Sequence, residues 1–369
     1  MNLGILTSSR ADFGIYVPLL DGLKNNDYQM NFEIIAFGTH LSHFHDYTIN
    51  AISEAGFDVK HEIPGMLLTD DKESVASSYA IYALKFSAFW SKNASRFDWV
   101  ICLGDRYEMA AAVAAGIPFG INFAHIGGGE TTEGVIDNVY RHSISLASKL
   151  HFVAHSEFAK RVYEITASKN IIISGSLGLD NLQVITILSE AEFQQKWNIP
   201  LSSKFILVTV HPETVQSSLN EVHCSELIKA LDQLSINHSI VITMPNADTS
   251  GNIYRSAFKK LVYLKHNIYL VENFGTQSYF SAMHYADFLL GNTSSGIIEA
   301  ASFNRYVINL GERQKGRLAG ENVIHVPFKK EQILEAAYHI QGTSYQGENI
   351  YKQLNAANTI IETLLKPWI

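Results

Sequence analysis

The chain has 369 residues, more than one typical core accommodates and suited to two domains. Hydrophobic residues make up 47 % and charged residues 17 %, the balance of a well-packed globule, while a net charge of −8 argues against broad nucleic-acid binding or an anionic membrane surface. An anionic ligand would therefore need a local cluster of arginines, and the two cysteines, Cys102 and Cys224, provide neither a disulfide framework nor a zinc spacing.

The start, Met1 to Thr7, lacks the basic region and long apolar stretch of a signal peptide, and the expectation is a cytoplasmic protein. Short apolar runs then predict strands at Leu3–Thr7, Phe32–Ala36, Val100–Leu103, Phe119–Phe123, Phe152–Ala154 and Ile171–Ser174. Between them, helices are expected near Tyr16–Lys24, Ser74–Ser95, Arg106–Ala115, Val135–Ala147 and Glu157–Ile165. The Ala-rich stretch Met109 to Ile126, broken by Gly116, Pro118 and Asn122, reads as a buried helix and strand rather than a membrane span.

The pattern pauses at Gly175 to Asp180, a hinge of small residues, and resumes. Strands follow at Phe205–Thr209, Ile240–Met244, Ile268–Val271, Phe288–Leu290, Val307–Asn309 and Val323–Val326. Helices are expected near Glu221–Gln233, Asn252–Leu264, Gln277–Tyr285, Gly296–Phe303, Lys330–Ile340 and within Ile350–Leu365. Alternating strands and helices imply parallel sheets covered on both faces, so the fold class is α/β, with two Rossmann-like, doubly wound domains facing one cleft. Ligands of such sheets bind beyond the carboxyl ends of the strands, which is where the polar clusters fall.

After the first strand stands Ser9-Arg10-Ala11-Asp12, where Arg10 either meets a phosphate or pairs with Asp12 at the surface. After Val100–Leu103 stands Gly104-Asp105-Arg106, with Asp105 either a helix N-cap or a catalytic acid. The segment His125 to Asn138 follows a buried strand with three glycines and then carries Glu130, Glu133 and Asp137, with Arg141 and His142 one turn beyond. Crowded acids there shift one another's ionisation and so supply acid and base partners; the alternative is a glycine loop opening a solvated helix.

His211 lies just past a strand, and Pro212 stiffens its turn. The string Gly291-Asn292-Thr293-Ser294-Ser295-Gly296 joins a buried strand to a helix start. Backbone N–H groups, the hydroxyls of Ser294 and Ser295 and the small Gly296 make it an anion site or an ordinary capped helix. Glu299 could accept hydrogen bonds from a ribose diol, and Gly311 to Arg317, including Arg313, forms a cationic loop suited to a diphosphate. His40, His43 and His45 have no spacing that supports a metal site.

These strings, in this order, resemble the hydrolysing UDP-N-acetylglucosamine 2-epimerases of sialic-acid-type sugar biosynthesis. Besides those above, they include Pro245-Asn246-Ala247-Asp248 and Ile308 to Gln314. The resemblance implies the glycosyltransferase-B fold, divided here as residues 1–175, 176–349 and a C-terminal helix, 350–369, that crosses back to the first domain. It also implies phosphate and uridine contacts from Arg10, Arg106, His211, Ser294, Ser295 and Arg313, with Glu299 toward the ribose. Asp105, Glu130 and Asp137 become the acid–base group. Some relatives carry an acid directly after the His-Ile pair, where this chain has Gly127. Either Glu130 takes over that work or the sugar pocket differs.

The implied reaction releases UDP and a free sugar of manno configuration through a 2-acetamidoglucal, with no cofactor and no metal, in a homodimer or homotetramer. Two alternatives are hydrolysis of UDP-N,N'-diacetylbacillosamine for legionaminic acid and glycosyl transfer by a UDP-sugar enzyme of the same fold.

Overall fold

The computed structural model describes residues 1–25, 30–43, 47–67, 69, 71–133, 136–200, 205–213, 217–245, 251–353 and 355–367. Asn246, Ala247, Asp248, His45 and Val135, named above, lie outside the described residues. The chain divides into two compact units. The first comprises residues 1–130, 136–184 and 351–369, and the second comprises 131–135 and 185–350.

Among the described residues the first unit holds seven strands: β1 (Asn2–Thr7), β2 (Asn31–Phe37), β3 (Val59–Ile63), β4 (Trp99–Leu103), β5 (Phe123–Ile126), β6 (Leu150–Val153) and β7 (Ile171–Ile173). They form one sheet, parallel throughout, in the order β3-β2-β1-β4-β5-β6-β7. Alternate residues face opposite cores. Leu3 and Ile5 pack with the helices Arg10–Asn25 and Ala356–Leu364, and Leu6 packs with Lys72–Asn93 and Tyr107–Gly116. Gly22 lets the first and last of these helices touch, since a Cβ there would lie 2.8 Å from Ile361 Cδ1.

The second unit repeats the plan with β8 (Phe205–Thr209), β9 (Ser239–Thr243), β10 (Ile268–Val271), β11 (Phe288–Gly291), β12 (Val307–Leu310) and β13 (Val323–Val326). Their order is β10-β9-β8-β11-β12-β13, again parallel. Both units are thus doubly wound α/β sheets. Strand order reverses between β1 and β4 in one unit and between β8 and β11 in the other, the crevices at which such sheets take ligands. Among the described residues no helix is long and apolar enough to cross a membrane.

Three local expectations need correction. The strand expected at Phe119–Phe123 is displaced to Phe123–Ile126. Pro118 instead starts a 3-10 turn, Ile117–Phe119, which Gly120 ends at φ +68°. β3, with the sequence Val-Lys-His-Glu-Ile, was not expected at all. It is an edge strand with alternating burial, so it offers no apolar run. The helix expected at Gly296–Phe303 is a five-residue α-helix, Ser294–Ile298, that passes through Glu299 into a 3-10 turn, Ala300–Phe303.

Candidate active site

In the first unit the chain leaves β1 through Ser8-Ser9-Arg10. Asp12 accepts from Ser8 N at 2.9 Å, from Ser8 Oγ at 2.6 Å and from Ser9 Oγ at 2.6 Å, so it tightens this turn. Ser8 O accepts in turn from Thr39 N at 2.8 Å, which ties the turn to the end of β2. Arg10 is exposed on the first helical position, and of its two readings the surface pairing with Asp12 gives way to these Ser contacts. His40 contacts Thr7 Oγ1 and Thr48 Oγ1, each at 3.0 Å, and burial lowers its pKa.

Beyond β4 the N-cap of the helix Tyr107–Gly116 is Arg106, not Asp105. The Arg106 guanidinium grips the fully buried Glu108 at 2.8 and 3.3 Å, and that carboxylate helps hold it charged. Asp105 turns the other way and pairs with Arg141 on the helix Asp137–Ala147. Arg141 Nη1 lies 3.7 Å from Glu130 Oε2. Arg141 is only 5 % exposed, against 28 % for Asp105 and 15 % for Glu130. Asp137 stands one turn before Arg141 on the same helix and adds to the negative field that holds this guanidinium charged. The carboxylates expected to crowd one another therefore gather around a buried cation, which offsets their repulsion.

The three glycines have different reasons. At Gly129, φ +79°, a Cβ would collide with Phe158 O; at Gly128 it would sit 3.0 Å from Ser145 Oγ and 3.2 Å from His125 Nδ1. These two serve packing within the protein rather than approach to a ligand. Gly127, φ +86°, is open: a Cβ there would meet nothing nearer than Gly104 at 3.9 Å.

In the second unit, His211 follows β8 and Asn292 follows β11, so both stand at the strand-order reversal. The Asn292 amide stitches the two loops, accepting from His211 N at 2.8 Å and donating to His211 O at 2.9 Å. Asn292 O accepts from Arg313 Nη1 at 3.2 Å and Gln314 Nε2 at 3.0 Å, which brings the cationic loop to the same place. That loop is anchored by buried Glu213, which accepts from Glu312 N at 2.6 Å. A Cβ at Gly311 would strike this carboxylate.

Burial and the charge of Arg313 push His211 down to about 4. It is then neutral at neutral pH.

Thr293 caps the short helix by accepting from Ser295 N at 3.4 Å, so part of the expected anion site serves the helix itself. With only five residues the macrodipole contributes little, leaving the Ser294 hydroxyl and the remaining N–H groups, while the Ser295 hydroxyl, expected at the phosphate, is buried and turned toward Glu299. Gly296 is needed for close packing on β12, since a Cβ would lie 3.0 Å from Val307 Cγ1. Burial pushes Glu299 up to about 7, partly relieved by the Ser295 hydroxyl and Arg317, and Glu299 Oε2 is buried without a hydrogen-bond partner.

The structure thus gathers Asp105, Glu130 and Asp137 around Arg141, and His211 and Arg313 around Asn292. Arg141, Asn292 and Glu213 as organising residues were missed from sequence. Only their presence inside strings already singled out, or one residue beyond His211-Pro212, marked them.

The family described as UDP-N-acetylglucosamine 2-epimerase matches residues 23–365. A GDP/UDP-N,N'-diacetylbacillosamine 2-epimerase (hydrolyzing) from Campylobacter jejuni is 35 % identical over 323 residues, covering 87 % of this chain and 83 % of that protein. The polysialic acid biosynthesis protein P7 of Escherichia coli is 31 % identical over 330 residues, covering 89 % and 83 %. Among solved structures, the UDP-GlcNAc 2-epimerase of Neisseria meningitidis bound to UDP-GlcNAc superimposes with a TM-score of 0.80 at 18 % identity, covering 100 % of both chains.

Proposed function

This chain belongs to the UDP-N-acetylglucosamine 2-epimerase family, and from that premise we propose that it is a hydrolysing epimerase, converting a UDP-2-acetamido sugar and water to UDP and the free C2 epimer. The observation that carries this reading is the grouping of Asp105 and Glu130 around buried Arg141, with Asp137 one turn away.

The C2 proton of a sugar is not acidic, because no carbonyl adjoins it. It becomes removable as positive charge develops at C1 while UDP departs. Departure is assisted where the diphosphate's growing charge is met: by Arg313, by the neutral His211 as a donor and by the Ser294 hydroxyl. Each charge-assisted hydrogen bond is worth about 1.5–3 kcal/mol, so three that strengthen as the bond breaks supply several powers of ten in rate. One carboxylate of the Asp105, Glu130 and Asp137 set removes the C2 proton, giving a 2-acetamidoglucal. Water then adds at C1, and a second carboxyl returns a proton to the other face of C2. Glu299 serves the ribose.

For the sugar, UDP-GlcNAc is the first reading. UDP-N,N'-diacetylbacillosamine is the second, favoured by the Campylobacter relative and by the surface beside Asp105. There Gly104 and Gly127 face each other without side chains, and their N–H groups already bond Ile126 O at 2.9 Å and Phe152 O at 3.0 Å. This surface presents methylene rather than free donors, and it suits an apolar substituent.

The test is incubation of each UDP-amino sugar in D2O without acceptor. Release of UDP with deuterium at C2 of a free sugar is the expected result. Glycosyl transfer or simple hydrolysis leaves C2 unlabelled, and either would overturn the proposal.

A further inference from the structure

We propose that Ser145, His125 and Gly104 form a hydrogen-bonded relay that positions Asp105, with His125 a positioning residue. The inference rests on the epimerase reading, in which Asp105 is one of the reacting carboxyls.

Direction along the relay follows from chemistry. His125 Nε2 lies 2.9 Å from Gly104 O. A carbonyl only accepts, so Nε2 carries the hydrogen. Nδ1 is then the acceptor, and Ser145 Oγ, at 3.0 Å, donates to it. Both side chains are fully buried. Burial, with Arg141 and His151 nearby, pushes His125 down to about 3, so Nδ1 keeps its lone pair at neutral pH.

The relay acts where Asp105 needs support. Gly104 has φ +80°, a conformation that L side chains rarely adopt, and nothing lies within 4 Å of where its Cβ would be. This turn is fixed by its backbone, with Gly104 N donating to Ile126 O at 2.9 Å and Gly104 O accepting from His125. Asp105 is the next residue.

Ser145 lies on the helix Asp137–Ala147, one turn beyond Arg141 and two beyond Asp137. The relay therefore ties the Asp105 turn to the element that carries the other groups of the cluster, and the Arg141–Asp105 pair closes the loop. Gly128 is accounted for as well, because a Cβ there would press on both Ser145 Oγ and His125 Nδ1.

The experiment measures UDP release from the best-used UDP-amino sugar, with UDP affinity by calorimetry, for His125→Phe, His125→Gln, Ser145→Ala and Gly128→Ala. His125→Phe keeps a ring and loses both bonds. An ångström-scale shift of Asp105 then lowers kcat by about 10²-fold, with KM and UDP affinity within about twofold. His125→Gln retains an N–H donor toward Gly104 O and recovers at least about tenfold of that loss, which a purely space-filling role would not produce. Ser145→Ala and Gly128→Ala lower kcat by about tenfold each, again at unchanged UDP affinity.

A wild-type kcat in cooperatively folding His125→Phe overturns the relay. So do Gln no better than Phe, or kcat and UDP affinity falling together. If His125→Phe does not fold, Ser145→Ala and Gly128→Ala decide on the same criteria. If the wild type releases no UDP from any UDP-amino sugar, the epimerase reading fails. The relay is then judged by hydrogen exchange at Gly104 N, expected to be faster in Ser145→Ala and overturned by an unchanged rate.

Discussion

Raising the pH from 6 to 8 is expected to tighten UDP binding through Glu299. Burial pushes this carboxyl up to about 7, and its Oε2 is buried without a partner. A ribose diol supplies two O–H donors, which a carboxylate accepts better than a carboxylic acid does. With a pKa near 7, the ionised fraction rises from about one-tenth at pH 6 to about nine-tenths at pH 8. A ligand that needs the ionised form gains about tenfold, or about 1.4 kcal/mol. The terminal phosphate of UDP titrates in the same range, so the comparison is with Glu299→Gln, in which that contribution remains and the carboxyl's is gone. Calorimetric titrations at pH 6, 7 and 8 provide the slopes, and equal slopes for the two proteins would refute the assignment of Glu299 to the ribose.

The free protein gives a second readout of the same group. Its folded pKa, about 7, is raised above the ordinary 4.5, so the folded form holds the proton more tightly. The stability this contributes is fully present below 4.5 and is lost as pH rises through 7, with a ceiling of about 3 kcal/mol. Glu299→Gln stays neutral throughout, and its melting temperature should exceed that of the wild type at pH 8.

Asp105→Asn and Asp137→Asn are expected to keep UDP affinity within about twofold while turnover falls by at least about 10²-fold; calorimetry beside a UDP-release assay checks this, and equal loss of UDP affinity in both would count against the acid–base assignment. Asn292→Ala strands the buried N–H and C=O of His211 and should cost about 2–4 kcal/mol, read as a lower urea midpoint at unchanged m. Gly296→Ala should cost about 1–3 kcal/mol by overpacking against Val307, and Val307→Ala in the same chain should return part of it; an unchanged midpoint would show that position 296 has room to spare.

Strands read as apolar runs, so twelve of the thirteen among the described residues were visible in the sequence, β5 with its position displaced. β3 escaped because an edge strand with Lys60, His61 and Glu62 has no such run. The positions of the polar clusters were legible for the same topological reason: each follows a strand. Their pairings were not. Asp105 and Arg141 are 36 residues apart, and Glu213 and Glu312 are 99 apart. Nothing local says that Arg106 turns to Glu108 while Asp105 turns to Arg141. Nor does anything local show that a neighbouring element, Val307 for Gly296 or Phe158 for Gly129, requires the absence of a side chain. A sequence marks such a residue as special without saying what presses on it.

On the proposed reading the same strand order built twice carries two chemistries, and the buried groups nearest the two reactive clusters differ in kind. In the second unit burial removes charge: His211 is driven neutral and Glu299 is brought to the edge of neutrality, so on the proposed reading fixed positive charge for a diphosphate falls to Arg313 on the loop that Asn292 and Glu213 hold in place. In the first unit the buried group is Arg141, which cannot shed its proton under any working condition. A permanent cation at 5 % exposure holds Asp105 and Glu130 close while leaving both more exposed than itself. Replacing Arg141 by Met separates this function from mere packing. The stem is retained and the charge is lost, so the acids repel and disperse. Turnover should then fall with UDP affinity nearly intact, whereas loss of UDP affinity in step with turnover would place Arg141 at the diphosphate instead.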